Sequence, residues 1–160
     1  MYWARTTPTP LTARNNLAGA YESAGNLSRA IELHEQTLAD SLRVLGKDHL
    51  FTLVSRNNLA GTYMPAGDLG RATPLYEQNL ADSLRVLGEN HPDTLLSCSN
   101  LAVTFESAGD LGRAIPLHEQ CLADSLRVLG EDHPLSGAVR RNLNHAVAIV
   151  ERDDGETGRP

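Results

Sequence analysis

The sequence repeats itself with a period of 42 residues. The octapeptide Ala-Asp-Ser-Leu-Arg-Val-Leu-Gly occurs three times, starting at Ala39, Ala81 and Ala123. An Asn-Leu pair recurs in the same register, and its asparagines are Asn16, Asn58, Asn100 and Asn142. A fixed period of this size is typical of solenoids and propellers, in which each unit buries its apolar face against its neighbours. We therefore predict an array of repeats whose function is to hold a partner.

Each repeat is predicted to be a pair of helices. Apolar residues of the second repeat, such as Leu69, Ala72 and Tyr76, follow one another at spacings of three and four, which places them on one helical face. Gly67 fits the end of one helix and Asp68 fits the N-cap of the next. We predict seven helices, at residues 8–24, 27–45, 50–66, 69–87, 92–108, 111–129 and 134–151.

The period also sets the predicted domain organisation. Residues 1–6 form an N-terminal extension, and one repeat domain covers residues 7–150. Its repeats are residues 7–48, 49–90 and 91–132, followed by a terminal helix at 133–150. Residues 151–160 carry no apolar anchor and are predicted to be a disordered tail. Pro74 and Pro116 fall inside predicted helices, where we expect a tolerated kink or a loosened first turn.

Composition excludes several functions. The formal net charge is -6, and no basic stripe is present, so neither nucleic acid nor an anionic membrane surface is an expected partner. The sequence contains no apolar run of the roughly 20 residues that a membrane span needs, and its first residues contain none of the length typical of signal peptides. We therefore predict a cytoplasmic protein. In such a compartment Cys98 and Cys121 are expected to be reduced, partly buried thiols.

The histidines are predicted to be structural. His49, His91 and His133 recur once per repeat, about 10 Å apart, which is too far for ligands of one metal ion, so we interpret them as helix-start residues. His34 and His118 hold the repeat position of Tyr76 and are expected to be half-buried packing residues. Nucleotide-binding loops, nucleophile elbows and zinc-protease motifs are absent from the sequence, so we predict no enzyme, no cofactor and no metal.

Several positions together resemble the tetratricopeptide repeat, in the 42-residue form of kinesin light chains and many bacterial signalling proteins. In the second repeat they are Leu59, Ala60, Tyr63, Ala72, Tyr76 and Leu80. The Asn-Asn-Leu-Ala runs and the Gly-x-x-His-Pro junctions are similar to the light-chain subtype. The resemblance implies an all-α fold, a tetratricopeptide-type α-solenoid of antiparallel helical hairpins in a right-handed superhelix.

The resemblance further implies that the first helices of successive repeats line a concave groove for an extended or helical peptide. The asparagines expected to face it are Asn16, Asn58, Asn100 and Asn142. Three groove positions vary between repeats and are therefore expected to set specificity. The first position holds Asn15, Asn57, Ser99 and Arg141, the second holds Thr12, Val54, Leu96 and Ala138, and the third holds Gly19, Gly61, Val103 and His145. A carboxamide carries donors and an acceptor, so it can pair with any peptide bond. The set lacks the basic cluster with which some relatives clamp a C-terminal carboxylate.

Two roles remain open for the asparagines, because they either face a peptide or hold neighbouring repeats together. Three functions also remain open for the chain. The first is a protein- or peptide-binding scaffold. The second is a homo-oligomer that assembles through its terminal helices, whose last member carries Val139, Leu143 and Val147. The third is the sensor arm of a larger bacterial regulator.

Overall fold

The computed structural model describes residues 10–157, with side chains described as far as Arg152. Within that range seven helices follow one another: α1 (Pro10–Ser23), α2 (Leu27–Leu45), α3 (Leu50–Tyr63), α4 (Leu69–Leu87), α5 (Pro92–Ser107), α6 (Leu111–Leu129) and α7 (Pro134–Thr157). The predicted N-terminal extension, residues 1–6, lies outside the described residues. None of the described helices is long and apolar enough to cross a membrane.

Polar side chains begin the helices. Asp110 Oδ1 accepts a hydrogen bond from the Arg113 backbone N–H at 3.1 Å, and Asn26 and Asp68 cap α2 and α4 in the same way. The glycines before these caps have positive φ angles of 75° to 78°, which a side chain would strain, and they are Gly25, Gly67 and Gly109. These contacts explain why the short turns between helices could be predicted from sequence.

The ends of α1 and α5 differ from the prediction by one residue, and two other helix ends differ by more. The predicted third helix reaches residue 66, whereas α3 ends at Tyr63. The Met64 N–H still bonds to the Ala60 carbonyl, but Pro65 has no N–H with which to continue the helical hydrogen bonds. The predicted last helix ends at 151, whereas α7 continues to Thr157. Residues 151–157 are therefore helical, which corrects the disordered tail predicted there. Within this segment, Arg152 Nε donates to the Ala148 carbonyl, one helical turn earlier, at 3.0 Å.

Both internal prolines lie inside continuous helices. Pro74 belongs to α4 and Pro116 to α6. Each lies four residues after a glycine, and a Cβ added at Gly70 or Gly112 would meet only a capping aspartate oxygen, at 3.8 and 3.7 Å. Neither proline therefore ends its helix.

Contacts between residues group the chain into unit 1, Met1–Leu75, and unit 2, Tyr76–Pro160. In unit 1, α2 packs against both α1 and α3. Its core contains Leu38, Leu59, Tyr63 and Ala72, all buried. The Arg14 guanidinium on α1 contacts Asp40 on α2 at 2.6 Å, and Arg14 and Arg43 lower the pKa of that carboxyl. This ion pair joins the two helices of the first hairpin.

In unit 2, α6 packs against both α5 and α7. Its core contains Cys98, Cys121 and Val139. The two cysteines form a disulfide between α5 and α6, with Cα atoms 5.9 Å apart. The prediction of two reduced thiols is therefore wrong. Cys98 holds the repeat position of Arg14, so a covalent bond joins the helices of the third hairpin where an ion pair joins those of the first.

Candidate functional site

An open pocket in unit 1 lies on the side where the groove was predicted. Its volume is about 490 Å³. Three helices line it, with Asn15, Asn16, Gly19, Glu22 and Ser23 from α1, His34 from α2, and Asn57, Asn58 and Gly61 from α3. The asparagines and glycines of this set are six of the eight groove positions predicted for the first two repeats, without Thr12 and Val54.

The asparagines of the pocket have two different environments. Asn58 Nδ2 donates to Asn15 Oδ1 at 3.0 Å, which joins α3 to α1. Asn16 is exposed, and no hydrogen bond from its side chain is found within residues 10–152. Asn58 therefore bonds to the neighbouring repeat, whereas the exposed Asn16 side chain lines the pocket.

A glutamate and a histidine form one side of the same pocket. The single hydroxyl proton of Thr62 is shared between two acceptors, the Asn58 carbonyl at 3.0 Å and Glu22 Oε2 at 3.3 Å from Oγ1. His34 is only 2% exposed. Burial lowers the pKa of this histidine, against the opposing effect of the Glu22 carboxylate, so its imidazole is neutral at neutral pH. Glu22 thus brings a negative charge to a pocket otherwise lined by neutral groups.

The same pair recurs in unit 2. Glu106 and His118 lie 84 residues after Glu22 and His34. Here His118 Nε2 lies 3.1 Å from Glu106 Oε2, and His145 Nδ1 on α7 lies 2.5 Å from Glu106 Oε1. The Glu106 carboxylate therefore holds one imidazole in the core and a second at the surface. In the second repeat these positions are Met64 and Tyr76.

The remaining predicted groove residues lie outside the unit 1 pocket. Thr12 lines a different pocket of the same unit, beside Arg14 and His49. Ser99 is 5% exposed, so the expectation that this side chain lines an accessible groove is not met. Of the others, Asn100 and Asn142 are half-buried, whereas Val54, Leu96 and Arg141 are exposed.

A second surface feature repeats on the hairpins. The Arg71 guanidinium lies 4.4 Å from the centre of the Tyr63 ring, and Arg113 lies 4.1 Å from that of Phe105. Tyr63 Oη donates to Glu35 at 2.5 Å, and burial together with this carboxylate raises the pKa of Tyr63 to about 12. Each stack joins the two helices of one hairpin.

Sequence reasoning missed the glutamate–histidine pairs as a unit. The two members are 12 residues apart and lie on different helices, so neither belongs to a local motif. The available signal was their joint recurrence, since both residues return in the third repeat and both change in the second. Within the described residues, no group of three or more histidine, cysteine, aspartate or glutamate side chains could hold a metal ion.

A chain of helical hairpins repeated at a constant period, with one asparagine at the same position of each repeat, defines a helical-repeat protein. The model of the tetratricopeptide repeat matches residues 9–78 and 51–125. The chain therefore belongs to the tetratricopeptide repeat family, and the relatives below make it kinesin-light-chain-like. Its fold is an all-α tetratricopeptide-repeat solenoid, the general architecture of a protein-interaction scaffold.

Solved structures are similar along nearly the whole chain. A Podosopora anserina protein of nearly identical kinesin light chain TPR-like repeats is 31% identical, with 94% of this chain and 72% of that chain covered and a TM-score of 0.77. A point variant of that protein is 30% identical over 98% and 74% of the two chains, with a TM-score of 0.79. BtubC (BKLC) from P. vanneervenii is 23% identical over 97% and 68%, with a TM-score of 0.72, and shares the fold. No curated protein matches the sequence significantly.

Proposed function

We propose that this chain is a peptide-binding scaffold and that the unit 1 pocket between α1 and α3 holds an extended or helical segment of the partner. The observation that carries this proposal is the exposed Asn16 amide in a pocket walled by further asparagines. Carboxamides can pair with the backbone of a peptide whatever its side chains are. We propose binding and not catalysis as the activity, with neither cofactor nor metal.

The experiment separates the two roles of the asparagines. A random peptide library displayed on phage is selected against the full chain, and the affinities of the recovered peptides are measured by fluorescence polarisation. Asn16→Ala should weaken binding about fivefold, as expected for a lost hydrogen bond, while the melting temperature stays unchanged. Asn144→Ala is the matched control, because Asn144 is an exposed asparagine of α7 outside the pocket.

Asn58→Ala should lower both affinity and melting temperature, since it removes the bond to Asn15 as well. Recovery of no peptide, or equal affinities of the Asn16→Ala and Asn144→Ala variants, would refute the pocket as the binding site.

A second candidate function is self-association, and one observation favours it. Leu17 on α1 is 49% exposed, whereas Leu59 and Leu101 at the same repeat position are 4% and 6% exposed. In the second repeat this leucine packs with Leu38 of the preceding α2. Among the described residues no helix covers Leu17 in that way, so it offers an apolar surface to a second copy. Light scattering coupled to size-exclusion chromatography tests this.

Two further expectations have no support among the described residues. A sensor arm of a larger bacterial regulator is not favoured by any contact among residues 10–157. The cytoplasmic location predicted from the sequence conflicts with the Cys98–Cys121 disulfide, because such bonds are rare in reducing compartments.

A further inference from the structure

We infer that the unit 1 pocket recognises a basic side chain, lysine or arginine, of its peptide partner, and that Glu22 accepts it. This inference rests on the proposed function and names the class of peptide that the pocket selects. The residues that line the pocket include one carboxylate, Glu22, and no lysine or arginine.

Unit 2 contains an internal example of the contact that is proposed for unit 1. There the carboxylate of Glu106 meets a nitrogen of His145, which projects from the next first helix, at 2.5 Å. The residue at the position of His145, two periods earlier in the chain, is Gly61, which lines the unit 1 pocket and has no side chain. The place that an imidazole takes beside Glu106 is thus open to a partner beside Glu22.

The hydrogen bonding of Glu22 fits a donor from outside. Its hydrogen bond within the described residues comes from Thr62 Oγ1 to Oε2, and at 3.3 Å it is long. A carboxylate has about four lone-pair sites, so most of its accepting capacity remains. Lysine and arginine carry donors alone and would also satisfy the acceptor oxygen of the exposed Asn16 amide.

The buried floor of the pocket favours a cation from the partner. His34 lines the pocket, is 2% exposed, and its Nδ1 has no hydrogen-bond partner among the described residues. Because burial lowers the pKa of His34, the imidazole does not neutralise Glu22 at neutral pH. The chain as a whole has a formal net charge of -6, which adds a long-range attraction for a basic peptide.

The test is a comparison of phage-display selections on the full chain and on its Glu22→Gln variant. Peptides selected on the wild-type chain should be enriched in lysine or arginine, and selection on the variant should lose that enrichment. For the best basic peptide, Glu22→Gln should weaken affinity at least about fivefold at low salt, and replacing the peptide's basic residue with norleucine should weaken it equally. The norleucine change should have no further effect in the variant.

The matched control is Glu32→Gln, which removes the same charge from an exposed residue of α2 that pairs with Arg29 outside the pocket. It should leave affinity within about a factor of two of the wild type, as a surface charge change does. Circular dichroism and melting show whether each variant is folded. Selected peptides without enrichment in basic residues, or equal effects of Glu22→Gln and Glu32→Gln, would overturn this inference and leave peptide binding intact. Recovery of no peptide would overturn both.

Discussion

Histidine takes two different roles in this chain, and the repeat position decides which. At the junctions, Nδ1 of His49, His91 and His133 accepts a backbone N–H two residues later, at 3.1 Å in each case. These residues are N-caps, which confirms the helix-start role predicted for them. His34 and His118 are 2% and 0% exposed, so they are more deeply buried than the predicted half-buried packing position. A repeat pattern assigns a residue to a face, whereas burial depth depends on the neighbours packed against that face.

The burial of His34 makes stability depend on pH. Its pKa in the folded chain is lowered from 6.5 by burial, so below that pH the unfolded chain binds a proton that the folded chain does not. The free energy of unfolding should therefore fall as the pH drops below about 6.5. Urea unfolding at pH 7.5 and pH 5.0 measures this fall. In the His34→Gln variant the fall should be smaller, whatever the stability of the variant at pH 7.5. An equal fall in both proteins would show that His34 does not contribute.

Part of the candidate site could be predicted residue by residue. The period alone aligned Asn15, Asn16, Asn57 and Asn58, and the structure brings all four to one pocket. What the period could not show is the bond from Asn58 to Asn15, because it depends on how α3 lies against α1. Nor could it show that Ser99 is buried while Asn57, at the same repeat position, lines the pocket. Residues at equal repeat positions differ in exposure when their neighbours differ.

At the scale of helices, most boundaries could be predicted because each helix cap depends on residues that are neighbours in sequence. A glycine followed by asparagine or aspartate, or a histidine before the helix, fixes the starts of α2 to α7 through contacts within three residues. The prediction was wrong where it judged a segment by its apolar content alone. Residues 151–157 need no apolar anchor to continue an existing helix, since each added residue gains a backbone hydrogen bond at no new nucleation cost.

The disulfide escaped prediction because it joins two repeat positions that the sequence does not relate. Cys98 replaces Arg14, Arg56 or Arg140 of the other repeats, and Cys121 replaces Thr37 or Asn79. Only the packing of α5 on α6 shows that these two positions face each other. In the first hairpin the corresponding α1 position reaches Asp40 on α2 instead, through the side chain of Arg14. Equivalent helix pairs are thus joined by an ion pair in the first hairpin and by a disulfide in the third.

The disulfide should contribute strongly to the stability of the third hairpin. Its cysteines are 23 positions apart in sequence, and closing a loop of that size removes entropy from the unfolded chain worth about 3 kcal/mol. Cys98→Ser with Cys121→Ser should lower the free energy of unfolding by about that amount in guanidinium denaturation. Both cysteines are buried, so the lower free energy of unfolding should come without a change in the exposed surface of the chain.

A second double variant serves as the matched comparison. Cys98→Arg with Cys121→Thr restores the residues of the first repeat and allows an ion pair with Asp124. Since such partly exposed pairs are worth about 1 kcal/mol or less, it should recover only a minor part of the loss. Two free thiols in the denatured, unreduced wild-type chain would contradict the disulfide itself.

At the scale of the whole molecule, the sequence predicts the architecture far better than it predicts the binding partner. Because the same sequence pattern recurs in every repeat, each repeat predicts the same helical hairpin. The helices of the described chain agree with that prediction. Binding specificity comes from positions where the repeats differ, such as Gly61 against His145. These differences occur once each, so no internal pattern supports their interpretation, and only contacts in the folded chain give them chemical meaning.

The exposure of Leu17 leads to a prediction about the assembly state. If this leucine pairs with a second copy, the mass measured by light scattering should rise with concentration, because a small apolar contact gives a weak, concentration-dependent association. Leu17→Gln should then remain monomeric at every concentration. Leu42→Gln is the matched control, since Leu42 on α2 is 41% exposed, and it should behave like the wild type. Neither variant removes a buried side chain, so helicity should be preserved in both. A wild-type chain that stays monomeric at the highest concentration would rule out self-association through α1 and leave the asparagine pocket as the functional surface to pursue.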